Sequence, residues 1–368
     1  MTRFDPLGLV LTCPHRRRGS LRRTIRHTFS SKIAWFLYHT GCLLALRTLV
    51  RLFRKEGRIV ILAYHRVGPG NDDASPAVPP SDFERHVKYL LKRFRVIPLE
   101  QALIEIKGHA PIPDDAVVLT FDDPYRDHFR YAFPILVRNR VPAIFFLTTE
   151  PIESGSLPWY DEVYRTLTHI DPSIRDRITF ATGLSDDLKG LLNPVFSRHG
   201  EIRKARVLAC IESLKSFPDR KARALVTELT GALSPHLPPG ESERSILNWA
   251  EVSEMDASGM TIGAHTRTHP ILTHVSLPEA KEEIRGSKEA IEKVLGHPVD
   301  FFAYPNGRKG DFSDETIEIV RTSGYVGSCT TIGAANDRTV SPYCLRRICL
   351  GQPSVHWLDF KITMSLLL

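Results

Sequence analysis

From residue 58 onward, short apolar runs rich in β-branched residues alternate with segments of helical periodicity. Strands joined through helices pair in parallel, so this pattern predicts a parallel sheet or barrel in an α/β fold. Seven or eight strands can be counted, which favours a distorted (β/α) barrel with its functional residues at the carboxyl ends of the strands. The predicted strands are 58–64, 96–99, 117–119, 143–147, 260–264, 301–304, 326–330 and 345–350.

The alternation stops after Pro151 and resumes near residue 260. Residues 152 to about 247 carry helical patterns instead, among them 201–217 and 219–233, which predicts a helical insertion over one end of the barrel. We therefore predict two regions. They are a basic, membrane-associating segment at 1–57, which includes an amphipathic or hydrophobic helix, and a barrel at 58–368 that contains the insertion.

Two helices of the barrel carry capping signals in the sequence. Ser81, followed three residues later by Glu84, predicts a capping box at the start of a helix over 81–94. Ser276 and Glu279 predict a second capping box, and Gly296 marks the end of that helix.

The net charge of +7 is unevenly distributed along the chain. Residues 1–60 hold thirteen Lys and Arg against two Asp and Glu, whereas the remainder holds 36 against 40. The positive charge therefore belongs to the N-terminal segment, and nothing after it predicts a nucleic-acid-binding module. The six cysteines have no CxxC spacing, so the sequence indicates neither a zinc cage nor a disulfide framework.

The N-terminal segment predicts contact with a membrane surface through residues 16–54. Six arginines between residues 16 and 26 precede fourteen uncharged residues, 33–46, which are bounded by Lys32 and Arg47. A full span needs roughly twenty apolar residues, so an interfacial helix is favoured over a crossing. A helix packed on the domain is the third reading, and no cleavable signal peptide is evident.

Two adjacent carboxylates, Asp122 and Asp123, follow the apolar run 117–119. Neighbouring side chains of a strand point to opposite faces, so both acids can address one site only if the backbone turns there. Pro124 predicts such a turn. A solvated turn with no chemical role is the alternative interpretation of this pair.

Two histidines four residues apart, His265 and His269, follow another predicted strand. Because Pro270 disfavours a helix through His269, the pair belongs on a tight turn at the strand exit. Two histidines and one carboxylate leave open positions on a bound metal, which is typical of a hydrolytic site and leaves the second carboxylate free as a base. A third strand end, Tyr304, Pro305, Asn306 and Gly307, adds a turn whose N–H groups could face the same mouth.

These three stretches, TFDD, HTRTHP and FAYPNG, resemble in order and context the polysaccharide deacetylases of carbohydrate esterase family four. The resemblance runs from about residue 61 to residue 347, with the insertion found in one branch of the family. It implies that Asp122 is the catalytic base and that the 304–307 loop is a wall and oxyanion donor. It also implies that Asp123, His265 and His269 are the metal ligands.

The sequence departs from the family at three places. Pro124 replaces the usual glycine, and Ala303 replaces the usual arginine, which leaves Asp122 without that partner unless Arg308 substitutes for it. The usual late histidine acid is also missing, and Arg347 lies in the matching stretch. His65 is the candidate acid, and His356 is a weaker one. Residues predicted to contact substrate are Tyr125, Trp159, Asp161 and Arg347.

The resemblance predicts metal-dependent hydrolysis of an N-acyl group from a sugar of a polysaccharide or lipid-linked glycan. N-acetyl is the favoured acyl group. The expected cofactor is one divalent metal, for which zinc is favoured. Two alternatives remain open: a sugar deformylase or cyclic-amide hydrolase on the same scaffold, and a catalytically inactive glycan-binding relative. No protein partner can be read from the sequence.

Overall fold

The computed structural model describes residues 31–70, 74–75, 77–113, 115–170, 184–196, 201–233 and 245–367. Ten strands occur among these residues. They are β1 (Ile59–Tyr64), β2 (Arg66–Val67), β3 (Ala77–Val78), β4 (Arg95–Val96), β5 (Ala116–Asp122), β6 (Ala143–Leu147), β7 (Thr261–Ala264), β8 (Phe301–Ala303), β9 (Gly327–Cys329) and β10 (Arg347–Leu350).

Eight of these described strands form one sheet in which every pairing is parallel. Seven follow the order β10-β1-β5-β6-β7-β8-β9, and β4 pairs with β5 beside this path. A parallel bridge between Cys329 and Leu345 brings the end of β9 close to the start of β10. The sheet therefore curls into a distorted (β/α) barrel, as the sequence predicted, with its carboxyl ends on one rim.

Fourteen α-helices occur in the described parts of the chain, with a π-helical turn at His128–Ala132 and a 3-10 turn at Leu272–His274. They are α1 (Ser31–His39), α2 (Cys42–Phe53), α3 (Pro80–Arg93), α4 (Leu99–Lys107), α5 (Phe133–Asn139), α6 (Thr149–Ser154), α7 (Trp159–His169), α8 (Asp186–Phe196), α9 (Glu201–Leu214), α10 (Asp219–Leu233), α11 (Trp249–Ala257), α12 (Leu277–Leu295), α13 (Asp314–Thr322) and α14 (Val355–Leu367).

The central strands are buried on both faces, which explains their continuous apolar sequences. Every residue of β1 and β5 is buried, including Thr120 and Asp122 near the carboxyl end of β5. On one face of this sheet, aromatic rings pack in a row: Phe121 stacks on Phe145 at 4.6 Å and on Tyr64 at 5.4 Å between ring centroids. Such rigid packing fixes the end of β5 where the two carboxylates follow.

The segment between β6 and β7 forms a helical subdomain with an apolar core of its own. Helices α7, α8, α9 and α10 meet around residues that are buried from solvent, separate from the barrel core. Members of this core include Leu167, Leu188, Val207, Leu214 and Leu229. The insertion therefore has enough internal packing to hold a defined shape beside the rim of the barrel.

Helices α1 and α2 meet at an angle of 76° and pack on the C-terminal helix α14. Arg47 pairs with Asp359 of α14 in a buried ion pair, and Thr363 also accepts from Arg47. In the described part of the chain, no single helix is long and apolar enough to cross a membrane. Taken together, the bent pair of α1 and α2 has the required length and apolar composition. The arginines at 16–26 lie outside the described residues.

Local structure departs from the sequence expectations at α3 and α4. Helix α3 starts at Pro80 with Pro79 as its N-cap, so the capping box predicted at Ser81 is wrong. The strand predicted over 96–99 ends at Val96, and α4 begins at Leu99 behind Pro98. A proline N-cap replaces side-chain capping in both helices, which removes the signal that the prediction relied on.

The predicted capping box of α12 is confirmed. Ser276 Oγ accepts from the N–H of Glu279 at 3.4 Å, and Glu279 Oε2 accepts from the N–H of Ser276 at 2.8 Å. Gly296 ends the helix in the left-handed conformation, with φ at 76°. Reciprocal capping at one end and a left-handed glycine at the other fix the length of this helix.

Gly263 in β7 provides a test of the packing that positions the rim. A Cβ atom at this residue would lie 2.6 Å from Phe146 Cδ1 and 3.1 Å from the carbonyl oxygen of Phe301. We predict that Gly263→Ala lowers the free energy of unfolding by about 1–3 kcal/mol, because the phenyl ring must move within a close-packed core. Chemical denaturation measures this change. Gly190→Ala, in α8 with open space around it, is the control; equal stability of both variants would contradict the prediction.

Candidate metal centre and catalytic site

The two adjacent carboxylates reach one pocket because the backbone turns at the end of β5. Asp122 is the last residue of the strand, and Asp123 adopts a left-handed conformation with φ at 74°. Both side chains are buried and both line the pocket at the rim. A left-handed aspartate is costly for the backbone, and such strain is characteristic of functional sites.

Asp122 is held by a buried arginine from β10. Arg347 donates from Nη1 to Asp122 Oδ1 at 2.6 Å and from Nη2 to Oδ2 at 2.7 Å. The guanidinium also donates to Thr120 Oγ1 at 3.1 Å and to the carbonyl oxygen of Thr330 at 2.9 Å. Arg347 is fully buried, so we revise its predicted role from substrate contact to partner of Asp122.

The structure also corrects the expectation that Ala303 leaves Asp122 without a cationic partner, because Arg347 supplies that charge from another strand. Arg308 does not substitute, since its guanidinium lies 3.3 Å from Glu212 of the insertion. Burial alone would raise the pKa of Asp122, but nearby positive charge, chiefly that of Arg347, and the hydrogen bonds from Arg347 outweigh burial and bring the pKa to about 2. Asp122 is therefore ionised at neutral pH.

The histidine loop is a strained turn held by hydrogen bonds. Thr266 and His269 have φ values of 67° and 61°, which are unfavourable for residues other than glycine. Thr266 Oγ1 accepts from the N–H of His269 at 3.0 Å. Glu283 of α12 accepts from the N–H groups of Arg267 and Thr268 at 2.8 and 2.9 Å. These bonds maintain a conformation that the residues would not adopt alone.

The turn at β5 and the histidine loop bring three potential metal ligands together. One ligand atom each from Asp123, His265 and His269 lies within 4.8 Å of the others, and all three residues are buried. His265 Nδ1 lies 2.6 Å from the carbonyl oxygen of Ala303, an orientation that leaves Nε2 for the metal. Burial, together with the positive charge of Lys215, lowers the pKa of His269 well below its usual value, which favours the neutral form that ligates. This donor set fits a divalent cation.

The third loop has one main-chain N–H that finds no acceptor among the described residues. The N–H of Tyr304 donates to the carbonyl oxygen of Cys329 at 3.1 Å and is therefore already paired. The N–H of Gly307 is directed to the carbonyl oxygen of Pro305 at 2.6 Å. The N–H of Asn306 has no acceptor among the described residues, and Asn306 lines the pocket with φ at 55°. Asn306 is therefore the candidate oxyanion donor of this loop.

The helical insertion forms one wall of the pocket, which sequence patterns did not predict. Its lining residues are Tyr160, Leu208, Ile211, Glu212 and Lys215. Lys215 Nζ donates to Asn306 Oδ1 at 3.0 Å, and Arg223 donates to the carbonyl oxygen of Thr268 at 2.7 Å. The insertion thus contacts both the third loop and the histidine loop.

The remaining predicted substrate residues have different positions. Tyr125 is buried, and its hydroxyl donates to Asp161 Oδ2 at 2.5 Å; both residues support the loop, and neither belongs to the described pocket lining. Trp159 lines a side crevice that also borders His269 and Asn306. This position keeps Trp159 available as a contact.

The two candidate acids also differ in position. His65 lines the pocket, and its carbonyl oxygen lies 2.8 Å from Nε2 of His128. His356 lies on α14 and is not part of the described pocket lining. Among the described residues that line the pocket, His65 is therefore the one histidine outside the ligand set.

Comparison with known proteins supports the resemblance. A family model described as polysaccharide deacetylase matches residues 109–176 and 222–328, on either side of most of the insertion. YxkH of Bacillus subtilis strain 168, provisionally named a polysaccharide deacetylase, is 19% identical over 295 residues, which are 80% of this chain and 72% of YxkH.

Solved structures show the same fold. The Streptococcus pyogenes deacetylase PplD in complex with acetate has a TM-score of 0.55 at 18% identity and covers 85% of this chain and 99% of its own. IcaB from Ammonifex degensii has a TM-score of 0.53 at 19% identity, with coverage of 84% and 98%. Residues 109–176 and 222–328 thus match a polysaccharide deacetylase domain, and these comparisons indicate a deacetylase-type hydrolase that acts on carbon–nitrogen amide bonds.

Proposed function

We propose that this protein removes an N-acetyl group from a sugar of a polysaccharide or lipid-linked glycan in a metal-dependent reaction. One observation carries the proposal. Asp123, His265 and His269 gather as a potential ligand set, while the neighbouring Asp122 stays ionised and outside that set. A hydrolytic metal site requires this division between ligands and base.

A bound divalent cation, for which zinc is our proposal, would act as a Lewis acid that polarises the acyl carbonyl and lowers the pKa of water. Asp122 accepts the proton of the attacking water. Its ionised state under the influence of Arg347 keeps it ready to do so at neutral pH. The Asn306 N–H donates to the oxygen that becomes negatively charged. These roles use the groups that the rim holds in place.

We assign the proton donation to the departing amine to His65. Its side chain lines the same pocket as Asp122 and the ligand set, and an imidazole can both donate and accept a proton. Arg347 cannot fill this role, because its guanidinium does not release a proton in proteins and is bound to Asp122. The acid and the base then approach the reacting amide from different strand ends.

We further propose that α1 and α2 bind the surface of a membrane. Large apolar side chains on these helices are exposed, including Trp35, Phe36, Leu49, Leu52 and Phe53. The surrounding sequence is strongly basic, which suits anionic headgroups. Arg47 is paired with Asp359 inside the protein, so these helices can lie at the interface while they remain attached to α14.

The function is tested by acetate release from N-acetylated oligosaccharides, with and without a chelator. We expect release that the chelator abolishes and added zinc restores. Formate release from N-formylated sugars at a higher kcat/KM would favour the deformylase alternative. Absence of any metal-dependent product would favour a glycan-binding relative.

The two carboxylates should respond differently to amide substitution. Asp122→Asn should lower kcat by roughly 10²–10⁴-fold yet retain metal, because it removes only the base. Asp123→Asn should weaken zinc binding strongly, because it removes a ligand. Zinc affinity by chelator competition and kcat by acetate release distinguish the two. Equal loss of metal in both variants would refute the division of roles.

The Asp122–Arg347 pair generates a pH prediction. In Arg347→Met the main charge that lowers the pKa of Asp122 is lost while burial remains, so the pKa of Asp122 rises from about 2. Because a protonated Asp122 cannot act as base, the acid limb of kcat/KM should move to higher pH. The pH profile measures this shift. Arg346→Met, at the partly exposed neighbouring residue, is the control; an unmoved acid limb in Arg347→Met would count against the pairing.

Membrane binding is tested with Leu52→Gln combined with Phe53→Gln, at side chains that are 75% and 82% exposed. Each loses roughly 2 kcal/mol of apolar burial in lipid, so partitioning onto vesicles of phosphatidylcholine and phosphatidylglycerol should fall at least about tenfold. Vesicle co-sedimentation measures the change. Ile104→Gln, at an exposed apolar residue on α4, is the matched control. Unchanged partitioning of the double variant would exclude this surface.

A further inference from the structure

Both ends of the helical insertion contact the loop that carries Asp123. At its C-terminal end, the N–H of Leu247 donates to the carbonyl oxygen of Pro124 at 2.9 Å. The N–H of Arg126 donates to the carbonyl oxygen of Ser245 at 2.9 Å, and Ile246 forms an antiparallel bridge with Tyr125. The C-terminal end of the insertion is therefore joined by main-chain hydrogen bonds to the loop that follows Asp123.

At its N-terminal end, the first turn of α7 reaches the same loop through side chains. The hydroxyl of Tyr160 donates to Asp123 Oδ1 at 2.7 Å, and both residues are buried. The adjacent Asp161 accepts from Tyr125 at 2.5 Å. Two neighbouring residues of α7 thus hold the residues on either side of Pro124.

Tyr160 is itself fixed by the site. Its ring centroid lies 5.1 Å from that of His269, and Lys215 Nζ lies 5.8 Å from the centroid. Tyr160 therefore contacts two of the three members of the ligand set, one by a hydrogen bond and one by its ring. Few orientations are open to a buried phenol confined in this way.

Asp123 requires such support because its backbone provides little. It has a left-handed φ, and the next residue is a proline, which has no N–H to donate to the carboxylate. A carboxylate that binds a metal keeps its orientation through hydrogen bonds from surrounding groups. Tyr160 provides one such bond from outside the barrel.

We propose that Tyr160 is a positioning residue of the metal centre and that the insertion is therefore a structural part of that centre. This inference rests on the proposed metal dependence. The phenol orients the Asp123 carboxylate toward the histidines before metal arrives. A metal then binds a preformed ligand set, at lower entropic cost than a mobile carboxylate would impose.

The test compares Tyr160→Phe with Tyr164→Phe in the full chain. Tyr164 lies one turn further along α7 in the core of the insertion, so its substitution is matched in chemistry and helix. Zinc affinity is measured by competition with a chromogenic chelator, and the thermal midpoint of the metal-free protein reports on folding. We expect Tyr160→Phe to weaken zinc binding about 10–100-fold, Tyr164→Phe to leave it unchanged, and excess zinc to restore kcat in Tyr160→Phe.

Asp123→Asn separates the outcomes. If Asp123→Asn loses zinc while Tyr160→Phe binds it as wild type does, the inference is overturned and the proposed function stands. If zinc affinity falls equally in Tyr160→Phe and Tyr164→Phe together with the thermal midpoint, the role of Tyr160 is merely structural and the inference is also overturned. If Asp123→Asn binds zinc unchanged, the proposed function itself fails.

Discussion

The site depends on one buried ion pair, between Asp122 and Arg347. An arginine inside a barrel is tolerated only when its donors are satisfied, and this one donates to a carboxylate, a hydroxyl and a main-chain carbonyl. The pair connects β5, β10 and the segment after β9 at the rim. Removal of either partner would leave a buried charge, so the geometry of the base and the closure of the barrel are coupled. The family resemblance leads one to expect an arginine in the third stretch, but here β10 supplies the charge instead.

Around this pair, the rim is built from strained turns. Of the five described non-glycine residues with positive φ, four lie in the three loops of the site: Asp123, Thr266, His269 and Asn306. Each such conformation costs about 1–3 kcal/mol, so it persists only where its surroundings impose it. Glu283 accepts hydrogen bonds from the histidine loop, and the Thr331 hydroxyl donates to the carbonyl oxygen of Asn306. The insertion pairs through its main chain with the loop after Asp123. In these strained turns, consecutive side chains point toward one pocket. In a regular strand, the same side chains would point to opposite faces of the sheet.

The sequence predicted the barrel and the gathering of the ligand set, since parallel strands with polar residues at their carboxyl ends must converge on one rim. It did not predict the partner of Asp122. The two arginines inside the predicted strand 345–350 were a readable signal, because a buried arginine must be paired, yet only three-dimensional proximity identifies the partner. The role of Tyr160 had no periodic signal at all, because it depends on how an inserted helix docks. Helix α4 was missed for a local reason, since Pro98 replaces the usual capping side chain.

Asp122 and Asp123 are neighbours in sequence but receive different kinds of support from different elements, Asp122 from β10 and Asp123 from the helical insertion. Asp122 is held by a cation, which keeps it ionised and fixes both of its oxygens. Asp123 is held by the neutral hydroxyl of Tyr160, which donates a hydrogen bond and adds no positive charge. An arginine paired with the Asp123 carboxylate would compete with a metal ion for that carboxylate. A phenol orients the carboxylate and leaves its negative charge available to the metal. The barrel thus supplies the partner of the proposed base, and the insertion supplies the partner of the proposed ligand. Two adjacent carboxylates can therefore serve different chemical purposes in one pocket.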